Sequence, residues 1–189
     1  MTLYIWRHPK PVKVQGLCLG HTDAPVQARK LRRLANQIQG FARKNRLPNM
    51  IYTSPLQRAA GVGRLLAQQG WQWQVTPALA EIHFGSWDGR PWSDISKEEI
   101  DAWCANFAGF APLGGESLQQ LFARAKSWLD QLPPEPVLAV GHAGWINAAS
   151  LIANGQAAPA QPAHWPRSVA YRQRVVISEF PAAPALHQP

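Results

Sequence analysis

The sequence is poor in cysteine and contains no long apolar run. Its 189 residues include only Cys18 and Cys104, which are too few for a disulfide framework and too isolated for a cysteine-based zinc site. No hydrophobic stretch approaches the roughly 20 residues of a membrane-spanning helix. Arg7 and His8 also stand where a signal peptide would be apolar. We therefore predict a cytoplasmic protein with no membrane partner.

Acidic residues are scarce in the amino-terminal part of the chain. Residues 1–80 contain twelve Lys and Arg but one acid, Asp23, whereas residues 81–189 contain seven basic and ten acidic residues. The resulting net charges of +11 and −3 suggest an anionic partner for the first part, either nucleic acid or a phosphorylated metabolite. Seven basic residues fall between Arg29 and Arg46 in one predicted helix, where a solvated face is the simpler interpretation.

Charged residues of both signs together make up only 16% of the chain, and hydrophobic residues make up 46%. This composition is unlike that of a disordered chain or a coiled coil. A chain of 189 residues is long enough to bury a core of its own. We predict one domain over residues 1–180, followed by a loose tail rich in Pro and Ala over residues 181–189.

Short apolar segments alternate with longer amphipathic segments. The predicted strands are residues 2–6, 50–53, 71–75, 137–140 and 171–180. The predicted helices span residues 25–48, 55–70, 93–107, 118–132 and 143–153. Ser54 and Pro55 are expected to cap and open the second helix. This alternation predicts a three-layer α/β/α fold, with a mostly parallel sheet and helices on both of its faces.

Chemically useful side chains follow four of the predicted strands, namely His8, Arg58, Glu81 and His142. Because ligands bind at the carboxyl ends of parallel strands, we expect these four segments to meet at one rim. Two histidines, the two arginines Arg7 and Arg58, and one carboxylate suit phosphoryl transfer better than metal-dependent hydrolysis. The arginines would bind phosphate oxygens, and their charge would keep His8 neutral as a nucleophile.

Five motifs resemble, in order, those of the histidine phosphatase superfamily, the phosphoglycerate mutase-like proteins. They are LYIWRH at residues 3–8, YTSPLQRA at 52–59, EIHFGSWDG at 81–89, GES at 115–117 and VGHAG at 140–144. The resemblance implies that His8 is the phosphorylated nucleophile and Glu81 the general acid. It also implies that Arg7, Arg58 and the catalytic His142 bind phosphate. No metal and no organic cofactor are implied.

The chain departs from the family pattern directly after the nucleophile. Pro9 and Lys10 stand where Gly-Glu is usual, and the Asn expected a few residues later is absent, so one phosphate ligand is expected to be missing. Lys10 is a candidate electrostatic substitute. Thr22, within the sequence GLCLGHTD at residues 16–23, is a candidate phosphate ligand.

The chain is shorter than the phosphoglycerate mutases, whose inserted segments close the site, so we expect hydrolysis of a phosphorylated small molecule. The motifs are most similar to those of the α-ribazole phosphatase branch, which acts in nucleotide-loop assembly of cobalamin. That resemblance implies α-ribazole 5′-phosphate or adenosylcobalamin 5′-phosphate as the substrate. A broad-specificity or sugar-phosphate phosphatase is the main alternative, and a phosphoglycerate mutase is a weaker one.

The nine tryptophans are unusually many, and several lie near the segment that would overhang the site. Phe84 and Trp87 are the candidate contacts to an aromatic base. Core packing is an equally good interpretation of Trp87 and the preferred one for Trp103.

Two hypotheses come from other classes of protein. A non-catalytic phosphoester sensor is compatible with the altered Pro9-Lys10 segment, and a nucleic-acid-binding module would explain the basic helix. Because the chain has neither zinc-finger spacing nor an RNA-recognition signature, we expect no nucleic-acid partner. The sequence leaves the choice between monomer and homodimer open.

Overall fold

The computed structural model describes residues 1–178, and within them five strands and five α-helices follow one another along the chain. The strands are β1 (Thr2–Arg7), β2 (Met50–Thr53), β3 (Gln72–Val75), β4 (Val137–Gly141) and β5 (Arg174–Ser178). The helices are α1 (Ala28–Asn45), α2 (Gln57–Ala67), α3 (Lys97–Ala105), α4 (Leu118–Leu129) and α5 (Ala143–Ala153). The predicted tail over residues 181–189 and the predicted end of the last strand lie outside the described residues.

The strands form one sheet in the order β3-β2-β4-β1-β5. The three pairings among β1, β2, β3 and β4 are parallel, and β5 runs antiparallel beside β1. The carboxyl ends of β1, β2, β3 and β4 therefore lie along one edge of the sheet. The predicted fold class, three layers around a mostly parallel sheet, is confirmed.

Alternate side chains of β4 enter two separate cores, one on each face of the sheet. Val137 and Ala139 pack with α4 and α5, whereas Leu138 and Val140 pack with α1 and α2. Burial on both faces explains why this strand is a continuous apolar run rather than an alternating one. No helix within residues 1–178 is long and apolar enough to cross a membrane.

Three predicted helix starts differ from the observed ones, and the first helix begins at Ala28 rather than at residue 25. The second helix begins at Gln57 rather than at Pro55, with Leu56 at the N-cap, and the backbone N–H of Gln57 donates to the Asp23 carboxylate at 2.7 Å. A carboxylate from a distant loop thus caps this helix in place of Ser54. The third helix begins at Lys97 because Ser96 and Glu99 form a capping box there.

The last strand also begins later than predicted, at Arg174, because residues 171–172 form a turn. Arg172 has a φ of 65°, a left-handed backbone conformation that does not extend a strand. Tyr171 was predicted to begin the last strand, but because of this turn it lies outside the sheet and lines a cavity.

Candidate active site

A cavity of about 420 Å³ lies where the ends of β1 and β4 meet the loop that follows β3. Its basic and acidic lining residues are Arg7, His8, Arg58 and Glu81. Arg7 and His8 are neighbours in the chain, so these four residues come from three segments, which meet at one rim. His142, also expected at this rim, is fully buried and does not line the cavity. Six aromatic side chains form much of the remaining lining: Phe84, Trp92, Trp103, Phe107, Trp165 and Tyr171.

His8 has one ring nitrogen available to act as a nucleophile. Its Nδ1 lies 2.8 Å from the carbonyl oxygen of Pro9, and because a carbonyl only accepts, Nδ1 must carry the proton and donate. The neutral ring therefore has its lone pair on Nε2. Burial, followed by the charges of Arg58 and Arg7, lowers the pKa of His8 well below its ordinary value. The two arginines were expected to have this effect, but burial is the larger cause.

The two arginines are held by carbonyl oxygens at the edge of the cavity. Nη1 of Arg7 donates to the carbonyl of Val169 at 2.6 Å. Nη1 of Arg58 donates to the carbonyl of Thr22 at 2.7 Å, and its Nη2 donates to that of Gly20. Because each Nη carries two hydrogens, each guanidinium keeps N–H groups that can bind a phosphate.

His142 lies behind Arg58 and is fully buried. Its Nδ1 accepts from Nε of Arg58 at 3.3 Å, so Nε2 carries the proton and donates to the Ser54 hydroxyl at 2.6 Å. Burial, followed by the charge of Arg58, lowers the pKa of His142 well below its ordinary value. Its ring centroid is 4.9 Å from that of His8. His142 here orients Arg58, and its predicted contact with phosphate stays a prediction.

Glu81 is anchored at the amino terminus of α5. One carboxylate oxygen accepts from the N–H of Gly144 at 3.0 Å, and the other accepts from the N–H groups of Trp145 and Ile82, both at 3.1 Å. The helix terminus has N–H groups without partners inside the helix, and Glu81 occupies two of them. These three bonds hold the carboxylate of Glu81 in the lining of the cavity.

Arg124, which belongs to none of the sequence motifs, holds the loop that carries Glu81. Its guanidinium forms two hydrogen bonds with the Glu116 carboxylate, at 2.9 and 2.8 Å. It also donates to the carbonyls of Ala78 and Ala80 at 2.8 and 3.0 Å. Glu116 belongs to one of the recognised motifs and precedes α4, whereas Arg124 lies eight residues later, inside the helix, and belongs to no motif.

Asp88 is a second residue that sequence analysis did not identify. It accepts from the backbone N–H groups of Gly20, His21 and Thr22 and from the Thr22 hydroxyl. Burial alone would raise the pKa of Asp88, but these hydrogen bonds hold it below its ordinary value. The contacts shape the loop whose carbonyls bind Arg58. His21 of this loop also contacts the carbonyl of Glu81 through Nε2, at 2.8 Å.

The two candidate substitutes for the missing phosphate ligand do not line the cavity. The Thr22 hydroxyl donates to Asp88 at 2.6 Å, and would have to leave that contact to reach a phosphate. Lys10 is exposed, and its carbonyl accepts from Nζ of Lys30 at 3.3 Å. Roles for both residues in binding phosphate stay predictions.

The aromatic residues differ from expectation in which of them face the cavity. Phe84 lines it as expected, but Trp87 is 1% exposed, packs with Cys18 and Ile95, and does not line it. Of the two interpretations of Trp87, the structure favours the core residue. Trp103, expected in the core, lines the cavity together with Trp92, and their rings stack with centroids 6.0 Å apart.

Comparison with known families gives a match to the model of the histidine phosphatase superfamily (branch 1) over residues 3–176. The adenosylcobalamin/alpha-ribazole phosphatase of Escherichia coli (strain K12) is 28% identical over 159 residues, which are 78% of this chain and 76% of that protein. The metal-independent phosphoserine phosphatase of Arabidopsis thaliana is 32% identical over 115 residues, 56% of this chain and 48% of that protein.

Among solved structures, the alpha-ribazole phosphatase of Shigella flexneri superimposes with a TM-score of 0.74 at 26% identity. The superposition covers 93% of this chain and 89% of that one. The family match extends over all five motifs, and the resemblance seen in the sequence is confirmed.

Proposed function

Because the chain belongs to branch 1 of the histidine phosphatase superfamily, we propose that it hydrolyses phosphomonoesters through a phosphohistidine on His8. The observation that carries this proposal is the state of His8. Its Nδ1 donates to the Pro9 carbonyl, its Nε2 has no hydrogen-bond partner within residues 1–178, and it shares the cavity with two guanidinium groups. Such an arrangement supports nucleophilic attack on a bound phosphate at neutral pH.

The reaction has two balanced steps. Nε2 of His8 bonds to phosphorus while the bond from phosphorus to the ester oxygen breaks, and protonated Glu81 gives its proton to the leaving oxygen. Glu81, now a carboxylate, then takes a proton from a water molecule that attacks the phosphohistidine. Phosphate leaves, and His8 is neutral again. Arg7 and Arg58 stabilise the charge on the phosphoryl oxygens during both steps.

The lining of the cavity favours a substrate with an uncharged aromatic group. Arg7, His8, Arg58 and Glu81 are its only basic or acidic side chains within the described residues, and all belong to the catalytic set. Phosphoserine and 3-phosphoglycerate carry further charged groups that the aromatic wall would leave without partners. α-Ribazole 5′-phosphate carries a flat benzimidazole that can stack on tryptophan, so it is our proposed substrate.

The first experiment measures phosphate release from α-ribazole 5′-phosphate, 3-phosphoglycerate and p-nitrophenyl phosphate, each with EDTA present. We expect preference for α-ribazole 5′-phosphate. His8→Ala should abolish turnover, and His164→Ala, a change of an exposed histidine outside the cavity, should not. Residual activity of His8→Ala above a few per cent would contradict the nucleophile. Similar weak rates on all three substrates would indicate a broad-specificity phosphatase, and no release would favour a phosphoester sensor.

The role of Glu81 has its own test. Glu81→Gln should reduce turnover of alkyl phosphates by about 10²-fold or more. It should reduce turnover of aryl phosphates much less, because a phenolate leaves without needing a proton. Equal losses on both classes of substrate would rule out proton donation by Glu81.

A further inference from the structure

The turn before β5 is attached to the end of β1 beside the proposed nucleophile. The N–H of Arg172 donates to the carbonyl of Arg7, and the N–H of Arg7 donates to the carbonyl of Gln173, both at 3.0 Å. Gln173 also closes the turn through its side chain, which accepts from the N–H of Ala170 at 3.0 Å. These bonds place Tyr171, the residue at the tip of the turn, across from Arg7.

The ring of Tyr171 covers the guanidinium of Arg7. The Cζ atom of Arg7 lies 3.8 Å from the centroid of the ring, which is a close cation–π contact. The ring is also 5.6 Å from that of His8, centroid to centroid, and it lines the cavity. The ring and the Val169 carbonyl, which accepts from Nη1, together restrict rotation of the Arg7 guanidinium.

The side chain of Tyr171 lines the cavity. Its hydroxyl makes no hydrogen bond to any residue between 1 and 178. Arg58 lines the same cavity as Tyr171 and Arg7. Nε of Arg7 is buried and likewise has no partner among the described residues.

We propose that Tyr171 completes the phosphate site, its ring holding the Arg7 guanidinium in place and its hydroxyl donating to a phosphate oxygen. The inference rests on the function proposed above. A phosphate dianion has more acceptor sites than two guanidinium groups satisfy, and a neutral phenol adds a donor without adding charge. Lys10 and Thr22 do not line the cavity but Tyr171 does, so Tyr171 is placed to supply the phosphate contact for which those two residues were candidates.

The test separates the ring from the hydroxyl and uses inorganic phosphate as the probe. Phosphate binding to the resting enzyme is measured by calorimetry, and KM and kcat are measured with p-nitrophenyl phosphate. Tyr171→Phe, which keeps the ring, should weaken phosphate binding and raise KM by about 5- to 10-fold, with a smaller change in kcat. Tyr171→Leu, which loses both groups, should weaken binding by about 30-fold or more.

Two controls make the test specific. Tyr4→Phe removes the hydroxyl of a half-buried tyrosine that lies outside the cavity, and it should leave phosphate binding unchanged. In an Arg7→Ala background, Tyr171→Leu should weaken binding no more than Tyr171→Phe does, because the ring acts through Arg7. Thermal melting of each variant establishes that it is folded.

Wild-type affinity for phosphate in Tyr171→Phe would show that the hydroxyl is no ligand. If Tyr171→Leu still weakens phosphate binding more than Tyr171→Phe does in the Arg7→Ala background, and by the same factor as when Arg7 is present, the ring does not act through Arg7. A wild-type protein that binds phosphate but hydrolyses none of the substrates would refute the proposed function, and the same titrations would still decide the role of Tyr171. A wild-type protein that binds no phosphate would refute both.

Discussion

At the scale of single residues, the two groups proposed for catalysis are positioned by backbone atoms. The Pro9 carbonyl sets the tautomer of His8, and three backbone N–H groups hold the carboxylate of Glu81. Backbone partners do not change when neighbouring side chains are substituted. The geometry of this site is therefore most sensitive to changes that displace the backbone or fill the space beside it.

Gly144 is such a position. A Cβ atom added there would lie 2.5 Å from Oε1 of Glu81, closer than real contacts allow, so the carboxylate would have to move. We expect Gly144→Ala to lower kcat on alkyl phosphates by about 10²-fold, as loss of a general acid does, and to spare aryl phosphates.

Gly40→Ala is the matched control, because a Cβ atom at Gly40 in α1 meets nothing within 4 Å. Steady-state kinetics on one alkyl and one aryl phosphate provide the measurement. Full activity of Gly144→Ala on the alkyl phosphate would show that this contact does not position the acid.

At the scale of elements, α4 supports the site without contributing a proposed catalytic residue. Arg124 on α4 donates to the carbonyls of residues 78 and 80, just before Glu81, and pairs with Glu116, which precedes the helix. The side chains of this ion pair are 24% and 15% exposed, whereas those of Lys126 and Asp130 on the same helix are 55% and 40% exposed. Burial makes the first pair structurally important, because a lone charge there would lack a partner.

We predict that Arg124→Gln lowers kcat by about 10-fold or more and also lowers stability by roughly 2–4 kcal/mol, because it frees the acid loop and leaves Glu116 without its partner. Lys126→Gln should change stability by at most about 0.5 kcal/mol and leave kcat unchanged. Urea unfolding and steady-state kinetics test both variants. Indistinguishable behaviour of the two would mean that the Arg124 network does not position Glu81.

At the scale of the whole molecule, the fold buries two histidines in neutral form. Burial is the first cause of the lowered pKa of both His8 and His142, and Arg58 adds to it at each. In the unfolded chain both rings would take up a proton near the ordinary pKa of 6.5. The folded protein binds fewer protons than the unfolded chain just below that pH, so acid favours unfolding.

We therefore expect the free energy of unfolding to be level above pH 6.5 and to fall between about pH 6.5 and 5, by up to about 1.4 kcal/mol per pH unit for each histidine. Urea unfolding across this range provides the measurement. His8→Gln should remove one histidine's share of the slope, and His164→Gln, at an exposed position, should not. An unchanged slope in His8→Gln would show that the ring is protonated in the folded state.

The sequence by itself determined the fold class and the set of residues that meet at the rim. The two-sided burial of β4 and the apolar spacing of α1 are local patterns of hydrophobic residues, which the hydrophobic effect converts directly into strands and helices. Once the strands are parallel, Arg7, His8, Arg58 and Glu81 must come to the same edge. Their convergence could therefore be predicted without knowing any single contact.

Only the tertiary structure decided which side chain of a loop faces the cavity and which partner each polar group has. Trp87 and Trp103 both belong to the tryptophan-bearing segment after β3, yet one is buried in the core and the other lines the cavity. The bond from Thr22 to Asp88 joins residues 66 apart, and that from Arg7 to Val169 joins residues 162 apart. Such contacts leave no periodic trace in a sequence, because they depend on how separate elements pack after each has formed.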